Sequence, residues 1–255
     1  MTTNTQPDRA AKTSTVNHVP MTSLRKTALA AGVLYILTFV SIPTLALYGP
    51  VKEPDYITGP GPDTPVLVGG ILEMIVALAC IGTAVALYPV VRRQNEGIAM
   101  GFVGVRVLEA AMIVSGIASL LSIVTLRQDG AGPDALLTGS TLVAQYNNTF
   151  MLSQALLPAV NALLLGSLLY KARLVPRILP MLGLIGAPLL IASVAAKYFG
   201  IYAEQSAWSL LGAVPIAVWE FSLGVYLVVK GFRPCRITAE MTAASTSPST
   251  GSHDS

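Results

Sequence analysis

Residues 98–126 read IAMGFVGVRVLEAAMIVSGIASLLSIVTL. At about 1.5 Å per residue, a helix of this length exceeds the ~30 Å apolar thickness of a bilayer. The run lacks the two-residue alternation of a barrel strand. In lipid every backbone N–H and C=O must be satisfied within the segment, so the stretch is predicted to be a transmembrane helix. Its only charges are Arg106 and Glu109.

Five further apolar runs flank it: Thr27–Tyr48, Pro65–Val91, Asn147–Tyr170, Ile178–Ala196 and Gln205–Val229. Glu73 interrupts the second run of the chain and Glu220 the sixth. The whole chain has 255 residues, 53% of them hydrophobic and only 11% charged. An ordinary soluble domain carries about 25% charge. So few charges cannot solubilise this much apolar surface, which excludes a disordered chain, a nucleic-acid binder and most soluble enzymes. The predicted fold class is all-α: a polytopic membrane protein, a bundle of six transmembrane helices. Its first partner is the lipid bilayer, and no nucleic acid is expected.

The boundaries follow from composition. Residues 1–23 are polar, lack the apolar core of a signal peptide, and are predicted to be a disordered cytoplasmic tail. Residues 24–232 form the six-helix transmembrane domain, and 233–255 a second disordered cytoplasmic tail. Twelve Lys and Arg residues fall at the ends and loops on the side of the termini, against Lys52, Arg127 and Lys197 on the other. The positive-inside rule places both termini in the cytoplasm. On the opposite side, the turn-rich segment after Tyr48 and the loop Arg127–Tyr146 are candidates for a cap over the bundle.

Four ionisable residues lie within the apolar runs: Glu73, Arg106, Glu109 and Glu220. An Arg or Asp at the centre of a span costs on the order of 2.5–3.5 kcal/mol, so such groups face the bundle interior and find partners. Arg106 and Glu109 are spaced i,i+3 and share a helix face. Glu220 lies at a depth matching Arg106, so the two are predicted to meet across helices. Three acids against one base leave an excess. One carboxyl is therefore expected to hold a proton at neutral pH, with Glu73 the candidate because no basic partner is evident. Pro158 frees the carbonyl of Gln154, and Asn161 follows one turn on, where a kink can line a cavity.

Two readings of this polar centre (Arg106, Glu109, Glu220, Glu73 and Asn161) stay open. It binds a solute or relays protons, or it is an ion-pair network that fixes helix packing. The small-residue pairs Gly97/Gly101 and Gly183/Ala187 predict close helix contacts, within the chain, in a homo-oligomer or against another membrane protein. Most tyrosines near the run ends read as an interfacial belt. His18 and His253 lie in the tails and no nucleophile or metal-ligand motif occurs, so neither a cofactor nor a metal is expected. An intramembrane enzyme acting on lipid would have only carboxylates to use.

Four motifs in order carry a resemblance. They are Ala31-Gly32-Val33-Leu34-Tyr35-Ile36-Leu37, Val105-Arg106-Val107-Leu108-Glu109-Ala110-Ala111, Leu174-Val175-Pro176-Arg177-Ile178-Leu179 followed by Gly183 and Gly186, and Trp219-Glu220-Phe221 through Lys230-Gly231. Together, over about residues 24–232, the chain resembles the bacterial integral-membrane family catalogued as domain of unknown function 4386. The resemblance implies a multi-pass bundle in the bacterial cytoplasmic membrane, with Arg106, Glu109 and Glu220 matching the family pattern. It implies no activity.

Overall fold

The computed structural model describes residues 23–201 and 207–246. Six helical spans are long and apolar enough to cross a membrane. The first combines α1 (Ser23–Leu37), a 3-10 turn and α2 (Thr44–Leu47). The second and third are α3 (Thr64–Val91) and α4 (Glu96–Gln128). The fourth joins α5 (Leu136–Phe150) to α6 (Leu157–Ala172), and α7 (Ile178–Tyr198) and α8 (Ala207–Val229) complete the set. Sequential spans pack side by side, and α8 returns to pack on α1, which closes the ring. The protein is an all-α multi-pass membrane protein.

Helix α3 shows how the sequence partitions between lipid and core. Ile71, Met74, Leu78, Ile81 and Val85 are exposed and recur every three or four residues along one face. Glu73, Val76, Ala77, Cys80, Ala84 and Leu87 are buried on the opposite face. Both faces are apolar apart from Glu73 and Thr83, whose hydroxyl donates to the Cys80 carbonyl, as expected of a helix whose outer surface meets acyl chains instead of water.

Three expectations need correction. The first run is not one helix: α1 ends at Leu37, a 3-10 turn covers Thr38–Ser41, and Pro43 precedes α2. Thr38 and Thr44 hydroxyls donate to the carbonyls of Tyr35 and Ser41, giving the break local partners. Second, most of the expected loop Arg127–Tyr146 is helix, because α5 starts at Leu136. Its Thr, Ser and Gly content disguises it, but Ser140 and Thr141 return their hydroxyls to the Leu137 carbonyl. Third, the tail expected to be disordered from 233 contains α9 (Arg236–Thr246), docked through Ile237 and Met241 onto the core. The remainder of the two tail expectations, residues 1–22 and 247–255, lies outside the described residues, as does Tyr202.

Small residues let two elements approach closely. A Cβ on Gly32 would lie 2.7 Å from the Gly224 carbonyl oxygen, so α1 and α8 cross backbone to backbone. Gly101 faces Leu164, and Gly183 faces Trp219, both within the chain. At the same end Arg25 donates to the carbonyls of Leu227, Val228 and Val229, completing the C-terminus of α8 with a positive charge.

At the end opposite the termini, residues after Tyr48 fold back as a cap. Tyr56 and Ile57 are buried there against Ile123, Val124 and Tyr146. A latch holds the cap: Asp63 forms a salt bridge with Arg127 and also accepts from Tyr56 and Gln128. Hydrogen bonding from the Arg127 guanidinium outweighs the opposing effect of burial and, with Gln128 and Tyr56, holds the Asp63 carboxyl down to about 2. An ordinary Asp lies near ~3.9. The folded form therefore binds this proton more weakly than the unfolded chain does. Its stabilisation is complete above about pH 4 and is lost as pH falls toward the folded value. Between pH 5 and 2 the thermal midpoint of the wild type is expected to fall more steeply than that of Asp63→Asn. Parallel curves would remove Asp63 from the acid response.

Candidate functional site

Spans α4 and α8 are not neighbours in the ring, and Arg106 reaches across between them. Its Nη1 donates to Glu109 Oε2 at 3.1 Å, and its Nη2 to Glu220 Oε1 at 3.0 Å. The guanidinium also lies 5.1 Å from the Tyr35 ring centroid, a cation–π contact. Arg106 is 1% exposed, Glu109 4% and Glu220 9%, so this is a charge cluster inside the bundle. Asn161 Nδ2 donates to Glu109 Oε2 at 2.7 Å. The structure thus brings together four of the five residues singled out from sequence.

Glu73 lies apart from that cluster, toward the capped end. It is 0% exposed and accepts three hydrogen bonds from neutral donors: Tyr146 Oη at 2.8 Å, Gln154 Nε2 at 3.1 Å and Tyr48 Oη at 3.4 Å. No salt bridge to Glu73 occurs among the described residues. The Lys52 ammonium sits 5.0 Å over the ring of Tyr146, which places a positive charge at the cap beside one of the Glu73 donors. Gly69, one turn from Glu73, has no Cβ to exclude the Tyr48 ring.

Sequence reading did not single out Tyr48, Tyr146 or Gln154 as site residues. Tyr48 lies at a run end and reads as part of the interfacial belt, yet it is 2% exposed. Tyr35, inside the first run, is fully buried against Arg106. Gln154 had one available signal, its spacing from Pro158. Proline has no N–H for the Gln154 carbonyl and its ring crowds that carbonyl. The helix widens into a π-turn over Met151–Leu156, the kind of bulge that often re-aims a functional side chain. Gln154 lies in this turn, donates to Glu73 and lines the cavity that Arg106 also lines.

A cavity of about 160 Å³ lies beside the Arg106 cluster, lined by Arg106, Glu109, Glu220, Gln154 and Cys80. Phe39, Val76, Pro158 and Ile216 supply apolar wall. Drug-sized ligands occupy roughly 300–1,000 Å³, so only a small solute or a few waters fit. Arg106 Nε, Asn161 Oδ1, Tyr35 Oη and Trp219 Nε1 are buried with no hydrogen-bond partner among the described residues. A buried donor or acceptor in this condition costs about 1–3 kcal/mol.

Fold and centre together define a polytopic membrane protein with a charged cluster on the bundle axis beside a small cavity. The family model for the domain of unknown function DUF4386 matches residues 30–231, and the chain belongs to that family. No curated protein and no solved structure matches it.

Proposed function

We propose that the protein binds a small polar solute or protons in the cavity beside Arg106, as a transporter or sensor of the bacterial cytoplasmic membrane. The observation that carries this reading is the cavity itself, which has charged walls where a purely structural bundle would be packed shut. Glu73 is assigned the second proton-binding position, connected to the cavity through Gln154. Both termini are assigned to the cytoplasm, supported by the twelve basic residues on their side of the bundle against three on the other.

A second reading is favoured by the ion-pair geometry: Arg106 ties α4 to α8, and the cluster serves only to fix helix packing. Water access separates the two. With Cys80→Ala and Cys235→Ser as background, Ile216→Cys places a thiol on the cavity wall. A membrane-impermeant thiol reagent is expected to label it from at least one face, and the cytoplasmic assignment of the termini is tested in the same vesicles with Cys235 alone. A folded variant that stays unlabelled from both faces would mean a dry centre and would leave the packing role in possession.

A further inference from the structure

Depth along the helices separates the two buried centres. Arg92 and Arg93 follow α3 directly and mark the membrane boundary at the end of the termini. From Val91 back to Glu73 the helix rises roughly 27 Å, against an apolar core of ~30 Å. Glu73 therefore lies near the opposite boundary, where water ordinarily hydrates a carboxylate. Arg106, roughly 15 Å along α4 from Glu96, lies near the midplane. Glu73 is nevertheless 0% exposed, and the groups that cover it belong to the capped end.

Tyr48, which opens the cap segment, and Tyr146 of α5 both donate to Glu73. Their rings meet edge to face at 5.3 Å. Val51, Tyr56 and Ile57 of the cap share one buried cluster with them. A polar fastening ties this cover down. Arg127, near the end of α4, donates Nε to Asp63 Oδ1 at 2.8 Å and Nη1 to the Gly59 carbonyl at 3.1 Å. Its guanidinium also lies 5.7 Å from the Tyr56 ring centroid. Both latch side chains are 14% exposed, so water reaches them. Beneath the cap the packing is incomplete: a cavity of about 130 Å³ is lined by Val51, Tyr56, Ile57, Ile123 and Gly139. Loosely packed, partly exposed elements open locally at lower cost than a core does.

Resting on the assignment of Glu73 as a proton-binding position, we infer that the cap is its gate. With the Arg127–Asp63 latch closed, Tyr48 and Tyr146 shut Glu73 from water at the capped face; local release of residues 49–62 opens that face to it. The gate acts on Glu73 and leaves the Arg106 cavity, nearer the midplane, unchanged.

The test uses the full chain in vesicles, with Cys80→Ala and Cys235→Ser as background and Glu73→Cys as the reporter. A membrane-impermeant thiol reagent is applied from the capped face. Arg127→Gln is expected to speed labelling about tenfold, the effect of about 1.4 kcal/mol on an opening equilibrium. Ile57→Ala loosens the cap with the latch residues intact and is expected to speed it as well, which keeps the test valid should Arg127→Gln not fold. Should Glu73→Cys itself not fold, Val66→Cys, a change of similar size in the same buried cluster, gives the same readout. Labelling of Ile216→Cys is expected to stay unchanged. Wild-type labelling rates in the folded cap variants, or equal acceleration at Ile216→Cys, would overturn the gate. The gate and the proton position fail separately. A protonated-carboxyl infrared band that titrates in the full chain and is lost in Glu73→Gln upholds the proton position even where the cap variants leave labelling unchanged. If labelling is gated and no such band titrates, the gate stands and the proton role of Glu73 is lost.

Discussion

Arg106→Gln is expected to be the most damaging single substitution in the interior of the bundle. The side chain is 1% exposed and holds two carboxylates, Glu109 and Glu220, inside the bundle. Removing it leaves two like charges facing each other without a counter-ion. Breaking a buried ion pair from one side costs about 3–5 kcal/mol, since the abandoned charge has no alternative solvation. The thermal midpoint is expected to fall by on the order of 10 °C. The origin of the loss is testable. Neutralising all three groups in Arg106→Gln, Glu109→Gln, Glu220→Gln removes the abandoned charges, and amides can hydrogen-bond to one another. That triple variant is expected to recover more than half of the lost stability. A triple variant no more stable than the single one would mean that Arg106 acts mainly through its packing on Tyr35 and Phe102, which lie 5.1 and 6.0 Å from the guanidinium.

The charged half of this centre is legible in the sequence because charge inside an apolar run is costly and therefore conspicuous. The i,i+3 spacing puts Arg106 and Glu109 on one face, and the depth of Glu220 allows the cross-bundle pair. The neutral half is not legible. Tyr48 and Tyr146 sit where interfacial tyrosines and loop residues also sit, and nothing local distinguishes a tyrosine that points inward to Glu73. Their role depends on the cap folding back, which is decided by contacts between distant segments such as Asp63 with Arg127. The spans themselves are readable because hydropathy outweighs other terms in lipid. Their ends are not, where Thr, Ser and Gly dilute the apolar signal. In Leu136–Tyr146 the hydroxyls of Ser140 and Thr141 are satisfied by the Leu137 carbonyl, so the helix tolerates them, a pattern that composition alone does not reveal.

The crossing of α1 and α8 lies between the cavity and the end of the termini, and Gly32→Leu is expected to loosen the packing there. A Cβ at residue 32 would meet the Gly224 carbonyl at 2.7 Å and the Val228 backbone nitrogen at 2.8 Å. Both are backbone atoms, so no side-chain rotation relieves the clash and the helices must separate. Overpacking of this kind costs typically 1–3 kcal/mol. Here the separation would also pull Arg25 from the α8 carbonyls it completes, which adds to the loss. Gly32→Ala already places an atom in that position and is expected to show a smaller change in the same direction. The functional consequence follows from where the helices cross: Gly32 and Gly224 lie one turn nearer the termini than Ile36 and Glu220. Splaying there thins the packed layer between the charged cluster and that face. In the Ile216→Cys background, Gly32→Leu is therefore expected to speed thiol labelling from the face of the termini several-fold, while labelling from the capped face changes little. Equal acceleration from both faces would indicate general loosening of the bundle and would separate this crossing from any gating role.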